Sequence, residues 1–158
     1  MPVTPDLSYW AILGELHRCQ VDFIVVGGVA AVLEGVPLNT LDLDIVHSRA
    51  AGNIARLLSA LDALDATYRT QPSRKLKPDR SHLLTTRFGP LDVLGSIGRS
   101  RTYEDLLPHT VEIDLGNDLS VRVLNLETLI AIKEEVGGEK DLAVLPVMRR
   151  TLAEKRRL

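Results

Sequence analysis

The sequence predicts an α/β domain in which a mixed β-sheet is flanked by helices. Three observations carry that expectation. Short runs rich in valine, isoleucine and leucine recur along the chain, bounded by glycine, proline or polar residues, and have strand length. Longer stretches between them carry apolar residues at helical spacing. Residues 110–115 and 119–124 alternate apolar and polar side chains around Gly116-Asn117-Asp118, a hairpin signal that brings antiparallel pairing into the sheet.

Taken in order, residues 7–19 have helical spacing, with Trp10, Leu13, Leu16 and His17 near one face. The apolar run Val21, Phe23, Ile24, Val25, Val26 predicts a buried strand over about 23–26, followed by a helix over 29–34. A second strand is expected over 41–47. Ser48 is suited to cap a helix ending near residue 65, with Ile54, Leu57, Leu58, Leu61 and Leu64 on its buried face. The stretch 69–81 holds Pro72, Pro78 and several charges and predicts a loop. Residues 82–87 and 90–94 form a strand pair turning at Gly89. A loop over 95–100 and a short helix over 103–107 lead into the hairpin. Residues 127–136 are helical, Gly137-Gly138 breaks that helix, and a last one runs from about 139 with a kink or restart at Pro146. The expectation is one domain over 1–158, with its core at about 20–125 and C-terminal helices at about 126–157.

Composition sets outer limits. At 158 residues, 45% hydrophobic and 25% charged, the chain has the make-up of a soluble globular domain large enough for a core. A formal net charge of −2 gives no global electrostatic case for nucleic-acid binding. Cys19 is the single cysteine, so no internal disulfide can form, which suits a reducing cytoplasm. The N-terminal residues lack the basic stretch and apolar core of a secretory signal, and no apolar run approaches the ~20 residues of a membrane span. A cytoplasmic location without membrane association is expected.

The chemistry concentrates in three places. Gly27-Gly28 closes the first apolar run. Glycines at a strand-to-helix junction let backbone N–H groups approach a phosphate, and the helix N-terminus adds partial positive charge. After a spacer of thirteen residues come Asp42 and Asp44, alternating with Leu41, Leu43 and Ile45, so on a strand both carboxylates point to one face. Like charges so placed repel, and a divalent cation with a preference for hard oxygen ligands, Mg²⁺ or Mn²⁺, would relieve the repulsion. The third place is Asp92, a lone carboxylate inside Phe88-Gly89-Pro90-Leu91-Asp92-Val93-Leu94.

Val26-Gly27-Gly28, the thirteen-residue spacer, Asp42-Leu43-Asp44-Ile45 and the later Asp92 together resemble the nucleotidyltransferase superfamily of the DNA polymerase β type. The segment 27–44 resembles its small stand-alone bacterial members, which often carry arginine where Asn39 stands. Lys133 on an apolar helix, followed by Lys140-Asp141-Leu142, resembles a segment of stand-alone members that include toxins of the AbiEii and MenT type; there a further Asp often stands where this chain has Val144.

The resemblance implies a nucleotidyltransferase fold and a metal-dependent enzyme that moves a nucleoside monophosphate from a nucleoside triphosphate, ATP among them, to a hydroxyl. It implies Asp42, Asp44 and Asp92 as catalytic, metal-binding residues in a two-metal mechanism. Gly27, Gly28, Thr40 and Lys133 would bind nucleotide, with Lys140 and Asp141 secondary. For Thr40 the plainer role is that of a β-favouring residue opening a strand. The implied cofactor is Mg²⁺ or Mn²⁺. The acceptor stays open among an RNA 3′ end such as that of tRNA, a protein hydroxyl and an aminoglycoside-like small molecule; a cognate antitoxin or self-association could complete the site. A non-catalytic nucleotide-binding or partner-regulating domain is the alternative. A dinucleotide-binding turn is disfavoured because a third glycine is lacking. Arg69, Arg74, Lys75, Lys77, Arg80, His82 and Arg87 form a basic run whose default is a solvated loop, though it could screen a triphosphate or guide RNA.

Overall fold

The computed structural model describes residues 6–40, 42–76 and 81–158; Leu41, Lys77, Pro78 and Arg80 fall outside them. Within that range the chain runs α1 (Asp6–Arg18), β1 (Phe23–Val26), α2 (Gly27–Leu33), β2 (Leu43–His47), α3 (Ala51–Ala63), β3 (Thr67–Tyr68), β4 (His82–Thr86), β5 (Gly89–Leu94), β6 (Ser96–Ile97), β7 (Arg101–Thr102) and α4 (Tyr103–Leu106). After a 3₁₀ turn come β8 (Thr110–Asp114), β9 (Ser120–Leu124), α5 (Leu126–Val136) and α6 (Glu139–Arg157).

Seven strands form one sheet in the order β3-β4-β5-β2-β1-β9-β8. The sheet is mixed: β1 pairs antiparallel with β2 and parallel with β9, while β2 and β5 run parallel. The α/β class with helices around a mixed sheet is therefore as expected. Its two halves differ in cover. On β1 and β2 both faces are buried, with Phe23, Val25, Leu43 and Ile45 on one and Ile24, Val26 and Val46 on the other, so apolar cover lies on both sides. On β4 the buried Leu84 and Thr86 alternate with exposed Leu83 and Thr85, so that half is packed on one face only.

Several local expectations need correction. The buried stripe of α1 is Tyr9, Ile12, Leu13 and Leu16; Trp10 is half-buried and His17 exposed, because the stripe is set one residue round the helix. Ser48 does not cap α3. Its hydroxyl accepts from the Ala50 N–H at 3.3 Å, and the helix starts after Ala50. On α3 the buried positions are Asn53, Leu57, Ala60 and Leu61, while Leu58 faces solvent. Asn53 earns its burial by hydrogen bonding to the backbone of both Asp22 and Ser48. Residues 95–100 are not a plain loop, since β6 and β7 pair into a small hairpin. The last helix runs through Pro146 without a restart.

Two joints hold the C-terminal helices to the sheet. Glu34, buried just after α2, accepts the Leu126 N–H that opens α5 at 2.9 Å. Lys155 on α6 donates to the Glu34 carbonyl at 2.8 Å and to its carboxylate at 3.1 Å. Gly137 closes α5 in the left-handed region at φ +67°, which turns α6 back along α5.

Candidate active site

Strand register decides where the carboxylates stand. Asp44 on β2 is the direct partner of Asp92 on β5, and also of Val26 on β1. Paired residues share a face, so Asp44 and Asp92 stand side by side with Gly27 at the end of β1. Asp42 sits one residue before β2 and is exposed. Its charge still reaches Asp44.

Gly27 is required here for two reasons. Its φ is +70°, a conformation that favours glycine, and a Cβ at this position would lie 2.4 Å from Asp44 Oδ2. The expected role of the glycine pair was an approach to phosphate; the structure adds that Gly27 makes room for the carboxylate itself. A Cβ on Gly28 would meet the Thr40 hydroxyl at 3.1 Å, so Thr40 lies over this turn.

Asp44 is electrostatically costly. Burial first, then the hydrogen bond and charge of Asp92, then the charge of Asp42, push its carboxyl up to about 7, and Lys133 opposes them. Its Oδ1 is buried without a hydrogen-bond partner. Asp92 has a counter-charge: Arg69 Nη2 donates to its Oδ1 at 2.9 Å and to the Leu84 carbonyl at 2.8 Å.

A cavity of about 170 Å³ opens beside Asp44. Gly27, Asp44, Lys133 and Asp141 supply its polar wall, while Val26, Leu94, Ile97, Leu129, Ile132 and Val136 supply an apolar one. Lys133 Nζ donates to Asp141 Oδ1 at 2.9 Å across the turn between α5 and α6. Lys140 is exposed and is not among the residues lining this cavity. Arg101 on β7 binds both carboxylate oxygens of Glu135 at 2.5 and 2.6 Å, which fastens the β6–β7 hairpin to α5 beside the cavity mouth.

Among the described residues, no group of three or more His, Cys, Asp or Glu side chains forms a ready cage for a cation. The pair Asp44 and Asp92 nevertheless fits Mg²⁺ or Mn²⁺ in its donor chemistry, with two hard oxygen groups, one buried oxygen unpartnered and like charges in contact. Mg²⁺ is commonly held by one or two carboxylates together with substrate phosphates and water.

Of the basic run, Arg69 hydrogen-bonds to a candidate site residue. Arg74 stacks over the Tyr68 ring, 5.1 Å from its centroid, and Arg87 pairs with Asp65 at 3.5 Å. Sequence alone gave Arg69 no separate status, because nothing in its spacing marks which cation of a loop will cross two strands.

No protein-family model and no curated protein matches the sequence. Solved structures do match the fold. A Thermotoga maritima protein assigned as a nucleotidyltransferase superposes with a TM-score of 0.62 at 16% identity, over 97% of this chain and 96% of that one. The lincosamide antibiotic adenylyltransferase LnuA, solved with lincomycin bound, gives 0.66 at 14% identity, over 94% and 98%. The antibiotic-resistance factor ANT(2″)-Ia gives 0.59 at 18%, over 94% and 85%. The chain has the fold of these nucleotidyltransferases.

Proposed function

We propose that the protein is a metal-dependent nucleotidyltransferase that moves a nucleoside monophosphate from a nucleoside triphosphate to a hydroxyl acceptor. The observation that carries this reading is the register of Asp44 beside Asp92, with an unpartnered Asp44 oxygen against Gly27.

Asp44 and Asp92 would hold Mg²⁺ or Mn²⁺, with Asp42 joining from the strand mouth. When bound, the cation neutralises charge on the reacting phosphate and on the attacking and leaving oxygens. The first-turn N–H groups of α2, which lack intrahelical partners, donate to phosphate oxygens where Gly27 and Gly28 leave the approach open. Thr40 lies close enough to the same turn to add its hydroxyl. Lys133 exchanges Asp141 for the triphosphate and stabilises charge on the departing pyrophosphate. Asp92, beside Asp44 on β5, holds or accepts the acceptor's proton.

The acceptor classes that compete are an RNA 3′ end, a protein hydroxyl (a partner in a toxin–antitoxin pair included) and a small molecule. LnuA and ANT(2″)-Ia make lincomycin and tobramycin suitable probes of the third class. The deciding experiment incubates the protein with each α-³²P-labelled nucleoside triphosphate and Mg²⁺ in the presence of total RNA, lincomycin or tobramycin. Label on any acceptor or on the protein itself, lost on chelation, is the expected result. Absence of label from every arm overturns the enzyme reading and leaves a domain that only binds nucleotide.

A further inference from the structure

Arg69 crosses the sheet to reach a carboxylate it does not neighbour in sequence or in the strand order. It follows β3 directly, whereas Asp92 lies on β5, two strands away. Two strand spacings amount to about 10 Å, which only a long side chain laid along the sheet can bridge. The arm is tied at three points. The Arg69 backbone N–H donates to the Leu83 carbonyl at 3.0 Å, and its Nη2 is shared between the Leu84 carbonyl and Asp92 Oδ1. Leu83 is itself the cross-strand partner of Asp92, so the guanidinium arrives over the open half of the sheet, next to the carboxylate.

A stabilising role explains little of this. An ion pair with a partly exposed arginine contributes at most a small amount to folding. The pair instead fixes direction. Asp92 is held on one side by Arg69 and faces Asp44 on the other. Without the guanidinium, the carboxylate loses the donor that draws it over β4 and is free to turn.

We propose that Arg69 is a positioning residue, which holds the Asp92 carboxylate in line with Asp44 for the acceptor step. This inference rests on the nucleotidyl-transfer reading and concerns the acceptor side of it alone. Gly27 and Lys133, which meet the nucleotide in that reading, line the cavity beside Asp44, whose lining includes neither Arg69 nor Asp92.

The test compares the parent with Arg69→Met, which keeps most of the length and loses the donors, and Arg69→Lys, which keeps the charge on a shorter, more mobile stem without the planar fork. Steady-state transfer from labelled nucleoside triphosphate to the acceptor found above should show kcat reduced roughly 10- to 100-fold in Arg69→Met, the scale of a misplaced reacting group. KM for the nucleotide should stay unchanged, and Arg69→Lys should recover part of kcat. Crystal structures of the parent and Arg69→Met, each grown in chelator so that no cation holds the carboxylates, supply a readout that needs no turnover: the Asp92 carboxylate should leave its parental orientation in the variant. Parental kcat in Arg69→Met, or Asp92 unmoved in its crystal structure, overturns the proposal. Failure of the parent to transfer anything overturns the function proposed above, and the pair of crystal structures then still decides the role of Arg69.

Discussion

Two cation–carboxylate pairs border Asp44, and they are built differently. Arg69 and Asp92 are rooted in the sheet, with the arginine fixed to β4 through both its backbone and its guanidinium. Lys133 and Asp141 meet by one hydrogen bond across a turn of two glycines between helices. A planar guanidinium that shares its N–H between a carbonyl and a carboxylate has little freedom to leave. An ammonium on a four-carbon stem can rotate to a new acceptor at small cost. On the proposed function the difference is a division of labour: the rigid pair would orient a reacting group, and the loose pair would wait for a substrate anion. Among the described residues no cation is hydrogen-bonded to Asp44, which lies between the two pairs as the group most in need of one.

The strongest way to break this picture is at Asp44. Asp44→Asn should lower transfer by roughly three orders of magnitude or more, since several kcal/mol of metal-borne charge stabilisation would be lost. A variant that retains a tenth of parental activity would place the cation elsewhere. At Lys133 the expected loss is smaller. Lys133→Ala should cost about 100-fold in kcat/KM, comparable to removing one donor from a charge-stabilising site, with the melting transition nearly unchanged. Equal activity in that variant would reduce the loose pair to a helix–helix link.

A third test sharpens the geometry without any turnover. Gly27→Ala should destabilise by about 1–3 kcal/mol, measured by urea unfolding, from strain at positive φ and a clash with Asp44. In an Asp44→Ala background the same change should cost less, because the clash is gone and only the backbone strain persists. Equal costs in both backgrounds would mean that the carboxylate does not lie on the glycine.

The smallest expected effect is a pH dependence. With its carboxyl raised to about 7, folded Asp44 keeps a proton that the unfolded chain releases near pH 4. Folding therefore binds a proton between these values, and stability falls as pH rises through that window. Asp44→Asn removes the penalty. In chelator, its melting temperature should match the parent below about pH 4 and exceed it above pH 7, by roughly 2–4 °C for each kcal/mol relieved. A gain that does not grow with pH would remove the argument from burial and like charge at Asp44.

Much of the fold was legible because periodicity reports burial. The strand pair at 82–94, the hairpin at Gly116-Asn117-Asp118 and the glycine break after α5 were all readable from pattern and turn chemistry. Ser48 misled because a serine before a helix can also bond its own loop. The β6–β7 hairpin was invisible, since two-residue strands have no period. At the site, the alternation of Asp42 and Asp44 set those two on one face; that Asp92 stands beside Asp44 is a matter of strand register, which the sequence could not itself supply. It could not say that Asp42 would sit outside the strand, exposed. Nor could it separate Arg69 from its basic neighbours: which cation reaches across a sheet depends on strand order, and strand order is a property of the assembled fold.

The clamp of Lys155 on Glu34 carries a practical consequence. It ties the last turns of α6 to the end of the helix whose first residue is Gly27, and through the Glu34 carboxylate to the start of α5, which bears Lys133. A chain shortened before residue 155, or fused there to a bulky partner, would loosen both walls of the cavity from a point remote from either. An affinity tag therefore belongs at the other end of the chain, and a weakly active preparation should first be checked for proteolysis of this helix.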